Sequence, residues 1–129
     1  MARLKANDQL TPLELEIMQV LWLNDALNVQ SVQQQLGRTL AYTTVQTMLN
    51  VLHRKGKVER TLNEKAYFYR PTVSRGEIVS QTVEDLLARL FGGSAQSLVM
   101  SMVENEQLTP DELSRVNEII EKEAGDSND

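Results

Sequence analysis

The amino-acid sequence predicts a mainly α-helical fold carrying one small β-hairpin. Three observations predict it. Capping signals of the form Ser/Thr-x-x-Glu recur at Thr11, Ser74 and Thr109, each ahead of an apolar run of helical period. One amphipathic run, from Tyr42 to Lys55, closes on Gly56. A single stretch, from Val58 to Tyr69, changes from helical to alternating period, as a hairpin does. The chain has 129 residues, enough for one domain or a small domain with an appendage.

The first helix starts at Thr11-Pro12-Leu13-Glu14, a capping box with Pro at the first helical position. Leu10 and Leu15 have the spacing of a hydrophobic staple. Leu13, Ile17, Val20, Leu21 and Trp22 make its apolar positions, and it should end near Asn24-Asp25. Trp22 reads as a core anchor. Asn28 caps a second, two-turn helix containing Val29, Val32 and Leu36, with Gly37 as its stop. The third helix buries Val45, Met48, Leu49 and Leu52. On a wheel of about 100° per residue, Thr43, Gln46, Thr47, Asn50 and Arg54 face the other way. That face holds no acid. It turns basic at its end through Arg54, Lys55 and Lys57. His53 reads as a helix-surface residue.

Val58 to Leu62 and Ala66 to Tyr69 form the hairpin, with Asn63-Glu64 as its turn and Pro71 as its end. Tyr67, Phe68 and Tyr69 are expected in the core region. Three more helices follow. One starts at the Ser74 box and carries Val79, Val83, Leu86, Leu87, Leu90 and Phe91, and Gly92-Gly93 breaks it. Ser94 caps the next, with Leu98, Val99, Met102 and Val103. The Thr109 box opens the last, with Leu113, Val116, Ile119 and Ile120, before a polar end at 125–129.

Composition excludes several functions. The chain has no cysteine and one histidine, so disulfides, thiolate metal sites, cysteine nucleophiles and multi-histidine metal sites are out. The acid pairs Glu84/Asp85 and Asp111/Glu112 lack a nucleophile–base constellation around them, and no phosphate-binding loop is present. No catalysis, cofactor or metal is expected. No apolar run approaches the roughly 20 residues of a membrane span, and Met1 to Thr11 lacks the apolar stretch of a secretion signal. The expected location is the cytoplasm.

Charge is unevenly spread. The net formal charge is −5. Yet residues 1–71 hold nine Lys/Arg and six Asp/Glu, while 72–129 hold four and twelve. The predicted boundary lies between residues 72 and 73. Residues 1–72 form three helices and a hairpin, the order of a winged helix-turn-helix. Such a domain reads DNA. Small polar side chains on the third helix enter the major groove, and basic residues around them meet phosphates. The DNA-contacting set on this pattern is Arg38, Thr43, Gln46, Thr47, Asn50, Arg54, Lys55, Lys57, Arg60 and Lys65. Residues 73–129 carry apolar stripes with little else to pack against, which predicts a helical homodimerisation segment. Met100 and Met102 read as part of that dimer core. The partners are then double-stranded DNA and a second copy.

The string Ala41-Tyr42-Thr43-Thr44-Val45-Gln46-Thr47, then Leu52, Lys55-Gly56, Ala66-Tyr67-Phe68-Tyr69 and Pro71, resembles the BlaI/MecI/CopY family of bacterial repressors. So do Val20-Leu21-Trp22 and Leu108-Thr109-x-x-Glu112-Leu113. The resemblance covers about residues 8–123 and implies a winged-helix homodimer that blocks transcription at an inverted-repeat operator. It adds Tyr42 and Thr44 to the DNA-contacting set. In the penicillinase branch, a membrane sensor pathway triggers cleavage in the dimerisation segment. Two positions depart from the pattern. Val51 stands where the family usually has Arg, and Ser101-Met102 stands where the family is cleaved at Asn-Phe. The missing cysteines exclude the copper-sensing variant. Two alternatives stay open: a protein-interaction module, and a repressor controlled by a small ligand.

Overall fold

The computed structural model describes residues 9–127. Its order is α1 (Pro12–Asn24), α2 (Val29–Gln35), α3 (Tyr42–Arg54), β1 (Val58–Asn63), β2 (Ala66–Pro71), α4 (Arg75–Leu90), α5 (Ala95–Glu104) and α6 (Pro110–Ser127). The strands form one antiparallel hairpin. Residues 1–8, the start of the N-terminal domain, and residues 128–129, the end of the expected polar tail, lie outside the described part. The rest of that tail differs from expectation, because α6 continues through Ser127.

Local signals account for the helix starts. Thr11 Oγ1 accepts from the Glu14 N–H at 3.2 Å, and the Thr11 N–H donates to Glu14 Oε1 at 2.8 Å. Thr109 and Glu112 repeat this exchange at the start of α6. Asn28 caps α2 through its side-chain oxygen, and Ser74 and Ser94 accept from Glu77 and Ser97. Gly56 takes a φ of +75°, the left-handed geometry that ends α3.

Contacts divide the chain into two compact units, one ending at Asp85 and the other starting at Leu86. The first has a continuous core. Ile17, Met18 and Leu21 from α1 meet Val29 and Val32 from α2, Val45, Leu49 and Leu52 from α3, and Val58 and Tyr69 from the hairpin. Trp22 donates its indole N–H to the Val73 carbonyl at 2.8 Å. Leu27 and Tyr69 exchange two backbone hydrogen bonds, which tie the α1–α2 linker to β2. Of the three consecutive aromatics, only Tyr69 is buried. Phe68 points to the opposite strand face. Tyr67 shares Tyr69's face but sits nearer the turn and is exposed.

The unit boundary lies inside α4, not at residue 72. Ile78 and Asp85 are both buried, and Asp85 accepts from the Gln9 side chain at 3.2 Å. The first half of α4 therefore belongs to the N-terminal unit. In the second unit no described hydrophobic side chain is fully buried. Leu90, Ile119 and Ile120 are 72%, 61% and 59% exposed.

Glu14 is buried with its charge. Lys55 Nζ lies 2.9 Å from both carboxylate oxygens and donates to the Gln9 carbonyl at 3.0 Å. Burial alone pushes the Glu14 carboxyl up. The Thr11 N–H and the Lys55 ammonium outweigh that and hold it below its ordinary value of 4.5. A carboxyl depressed in the folded state stabilises the fold above its unfolded value, and this contribution fades as pH falls through the folded one. Lys55→Met strands the carboxylate and should destabilise by about 3–5 kcal/mol. Glu14→Gln should remove part of the loss of stability below pH 4.5. Denaturant titration across pH checks both.

Candidate nucleic-acid interface

The buried side of α3 is Val45, Leu49 and Leu52, with Met48 half-buried beside them. This orientation leaves Tyr42, Thr43, Thr44, Gln46, Thr47, Asn50 and Arg54 exposed. The α2–α3 turn is held by Gln33, whose amide donates to the Leu40 carbonyl at 2.9 Å. Tyr42, Gln46, Gln30 on α2, and Lys65 and Tyr67 on the hairpin surround an open cleft of about 250 Å³. Three elements thus present polar groups to one side.

The hairpin pairs Val58 with Pro71, Arg60 with Tyr69, and Leu62 with Tyr67. These residues share the hairpin face on which Tyr69 packs into the core. Arg60 lies over the Tyr67 ring, 4.4 Å from its centroid, and donates to Asn50 Oδ1 on α3 at 3.2 Å. The Tyr69 hydroxyl donates to the same oxygen at 3.2 Å. At the root, Thr72 donates to Gly56 and Lys57 carbonyls, closing the hairpin against the end of α3.

The basic residues divide into two kinds. Arg54, Arg60 and Lys65 are exposed and Lys57 half-buried, with no acidic partner among the described residues. Arg38 is bound to Glu16 at 2.6 Å, both half in solvent. Lys55 corrects an expectation. Its ammonium is committed to the buried Glu14 instead of being available for a phosphate. The cause is its place at the end of α3, where the chain turns back over the start of α1. The sequence signal was half present, since Glu14 could be read as a capping residue but its distant partner could not.

The turn also differs from expectation. Its central residues are Glu64 and Lys65, with φ of 50° and 72°, not Asn63-Glu64. Two consecutive left-handed residues match the twist of a two-residue hairpin. Tyr69 and Gln33 were missed as supports. Alternation along the strands points to Tyr69 opposite Arg60. Nothing local points to Gln33.

Three helices, the third with an acid-free polar face, and a hairpin docked on that helix define a winged-helix DNA-binding transcriptional regulator. The sequence profile of the penicillinase repressor family matches residues 10–122, and the chain belongs to that family of transcriptional repressors. It is 28% identical over 121 residues to the penicillinase repressor of Bacillus licheniformis, covering 92% of this chain and 94% of that one. It is 34% identical over 125 residues to the transcriptional regulator BlaI of Mycobacterium tuberculosis, covering 93% and 89%. Among solved structures, the DNA-binding domain of the repressor BlaI aligns with a TM-score of 0.50 and 29% identity, over 57% of this chain and 93% of that one. The YusO protein of Bacillus subtilis aligns with a TM-score of 0.52 at 21% identity, over 92% and 77%, a likeness of fold alone.

The turn chemistry can be tested directly. Glu64→Asn with Lys65→Gly places residues suited to positive φ at both central positions. This should raise stability by roughly 1–2 kcal/mol, read as a higher denaturant midpoint with an unchanged slope.

Proposed function

We propose that the chain represses transcription as a homodimer bound to an inverted-repeat operator. Thr43, Thr44, Gln46 and Thr47 read base edges. Arg54, Lys57, Arg60 and Lys65 meet phosphates. The observation that carries this reading is the acid-free face of α3, exposed along its length and flanked by those cations. A protein-interaction module has no need of that charge pattern.

The dimer reading is supported by the apolar side chains left in solvent. Val79, Val83, Leu86, Leu90, Val99, Leu113, Val116, Ile119 and Ile120 are exposed, and Leu87, Leu98 and Met102 are half-buried. Stripes of this kind on several helices are what a second copy covers. No single helix among the described residues is long and apolar enough to cross a membrane, and we place the protein at its DNA, in the cytoplasm.

Release by cleavage near Ser101-Met102 is part of the proposal, with a physical condition attached. Both residues are half-buried in α5, and Asn105 donates its side-chain amide to the Ser101 carbonyl at 2.8 Å. A protease needs extended backbone, so the α5 helix has to open first. A signal that loosens the dimer segment would expose the bond.

Selection from a random duplex pool at about 0.15 M salt tests the central reading, since non-specific binding is weak there. An enriched two-fold symmetric motif is expected. Salt-sensitive binding without a motif would overturn it. On the selected duplex, Thr44→Ala and Thr47→Ala should each weaken binding by about 1–3 kcal/mol and relax preference at one position. A chain ending at Asp85, where the first unit closes, should fold and sediment as a monomer. A dimer of that fragment would remove the role given to α5 and α6.

A further inference from the structure

Asn50 lies on the polar face of α3, among the side chains expected to meet bases. Its surroundings give it a different task. Its amide oxygen accepts from Arg60 Nη1 on β1 and from the Tyr69 hydroxyl on β2, each at 3.2 Å. A guanidinium only donates, so the atom facing Arg60 is the oxygen, and the orientation of the amide is fixed by chemistry. A carbonyl oxygen has two acceptor positions, and here both are filled. Recognition of adenine by asparagine requires that oxygen to accept from the base while the NH2 donates. Asn50 cannot do this without giving up at least one of the two bonds.

The two donors are themselves anchored. Tyr69 is buried, and its backbone exchanges hydrogen bonds of 2.8 and 3.0 Å with Leu27. Arg60 is braced on its other side by the Tyr67 ring. Asn50 is the point where this anchored hairpin meets the recognition helix. An arginine otherwise free to sample many rotamers is thereby set in advance, so less entropy is lost when it binds.

We propose that Asn50 is a positioning residue and not a base reader: it pins Arg60 to the recognition helix, so the guanidinium meets the DNA backbone at a set distance from the bases read by Thr44 and Thr47. The proposal rests on α3 and the hairpin being the DNA interface.

The test is a double-mutant cycle in the full chain on the selected duplex, with wild type, Asn50→Leu, Arg60→Met and the double variant. Affinity is measured against salt. Asn50→Leu is expected to weaken binding roughly fivefold at 0.15 M salt and to flatten the salt slope by up to about one unit, the signature of one phosphate contact. Base preference should not change at any position. The double variant should bind no more weakly than Arg60→Met alone. Tyr69→Phe, which keeps the ring in the core and removes one of the two bonds, should give a smaller loss of the same kind. Asn50 is exposed, so an unchanged melting temperature is expected and separates this effect from misfolding. An Asn50→Leu loss of equal size in both backgrounds, a changed preference at one base, or no loss at all would overturn the proposal. A wild-type protein that enriches no motif overturns the DNA reading itself, an outcome visible before any variant is made.

Discussion

The carboxylate of Glu14 is the constraint on which the DNA-facing surface depends. It closes the capping box of α1 through the Thr11 N–H and, out of contact with water, accepts the Lys55 ammonium. A charge so placed is tolerated only when its partner and its hydrogen bonds are all present. The pair also joins opposite helix ends. Glu14 sits in the first turn of α1, where negative charge is favoured, and Lys55 at the last turn of α3, where positive charge is. One ion pair therefore fixes the C-terminal end of the recognition helix against the N-terminal end of the first helix. With the Val45–Leu52 side held in the core, the Thr43–Arg54 side has one direction left to face.

This arrangement changes what the charge distribution means. Seven basic residues lie between 36 and 70, and counting them suggests a strongly cationic surface. Lys55 is spent on Glu14 and Arg38 on Glu16, and Arg70 lies 3.8 Å from Glu59. Four remain, Arg54, Lys57, Arg60 and Lys65, spread from the end of α3 to the tip of the hairpin. If these four are the cations that meet phosphates, as proposed, the salt dependence is shallow and the non-specific affinity modest. On the proposed reading, preference for one sequence then rests on the uncharged side chains of α3.

How much of this could be read from the sequence depends on how far apart the partners are. Helix starts were legible because a cap and its partner lie three residues apart, as at Thr11/Glu14 and Thr109/Glu112. The exposed polar face of α3 was legible because a single helix imposes its own period on Thr43, Gln46, Thr47 and Asn50. What failed was non-local or carried no residue signal. Lys55 and Glu14 are separated by 41 positions, so Lys55 looked like any other basic residue at a helix end. Glu64 and Lys65 adopt positive φ without the Asn or Gly that announces it, and the turn was placed one residue early. The boundary moved from 72 to 85 because α4 up to Asp85 clusters with the N-terminal unit, where Asp85 meets Gln9 across 76 positions, while the capping box at Ser74 looked like a fresh start.

A reading helix flanked by four cations without an acidic partner among the described residues of 36–70 also bears on how the repressor can be controlled. On the proposed reading one such head binds weakly, and occupancy of an operator depends on joining two of them. Joining turns the second contact into an intramolecular event and raises affinity by roughly 10²–10⁴ when spacing fits. On the proposed dimer, that gain resides in α5 and α6, where no described side chain is fully buried in the single chain and where acidic residues keep the segment itself off DNA. The head has its own core and the Glu14–Lys55 pair, neither drawn from the distal helices, so a change in those helices has no need to unfold it. Control is then cheapest at the joint. In the proposed dimer, opening or cutting the distal helices would leave two intact heads that no longer act together, and repression would end without destroying the reader.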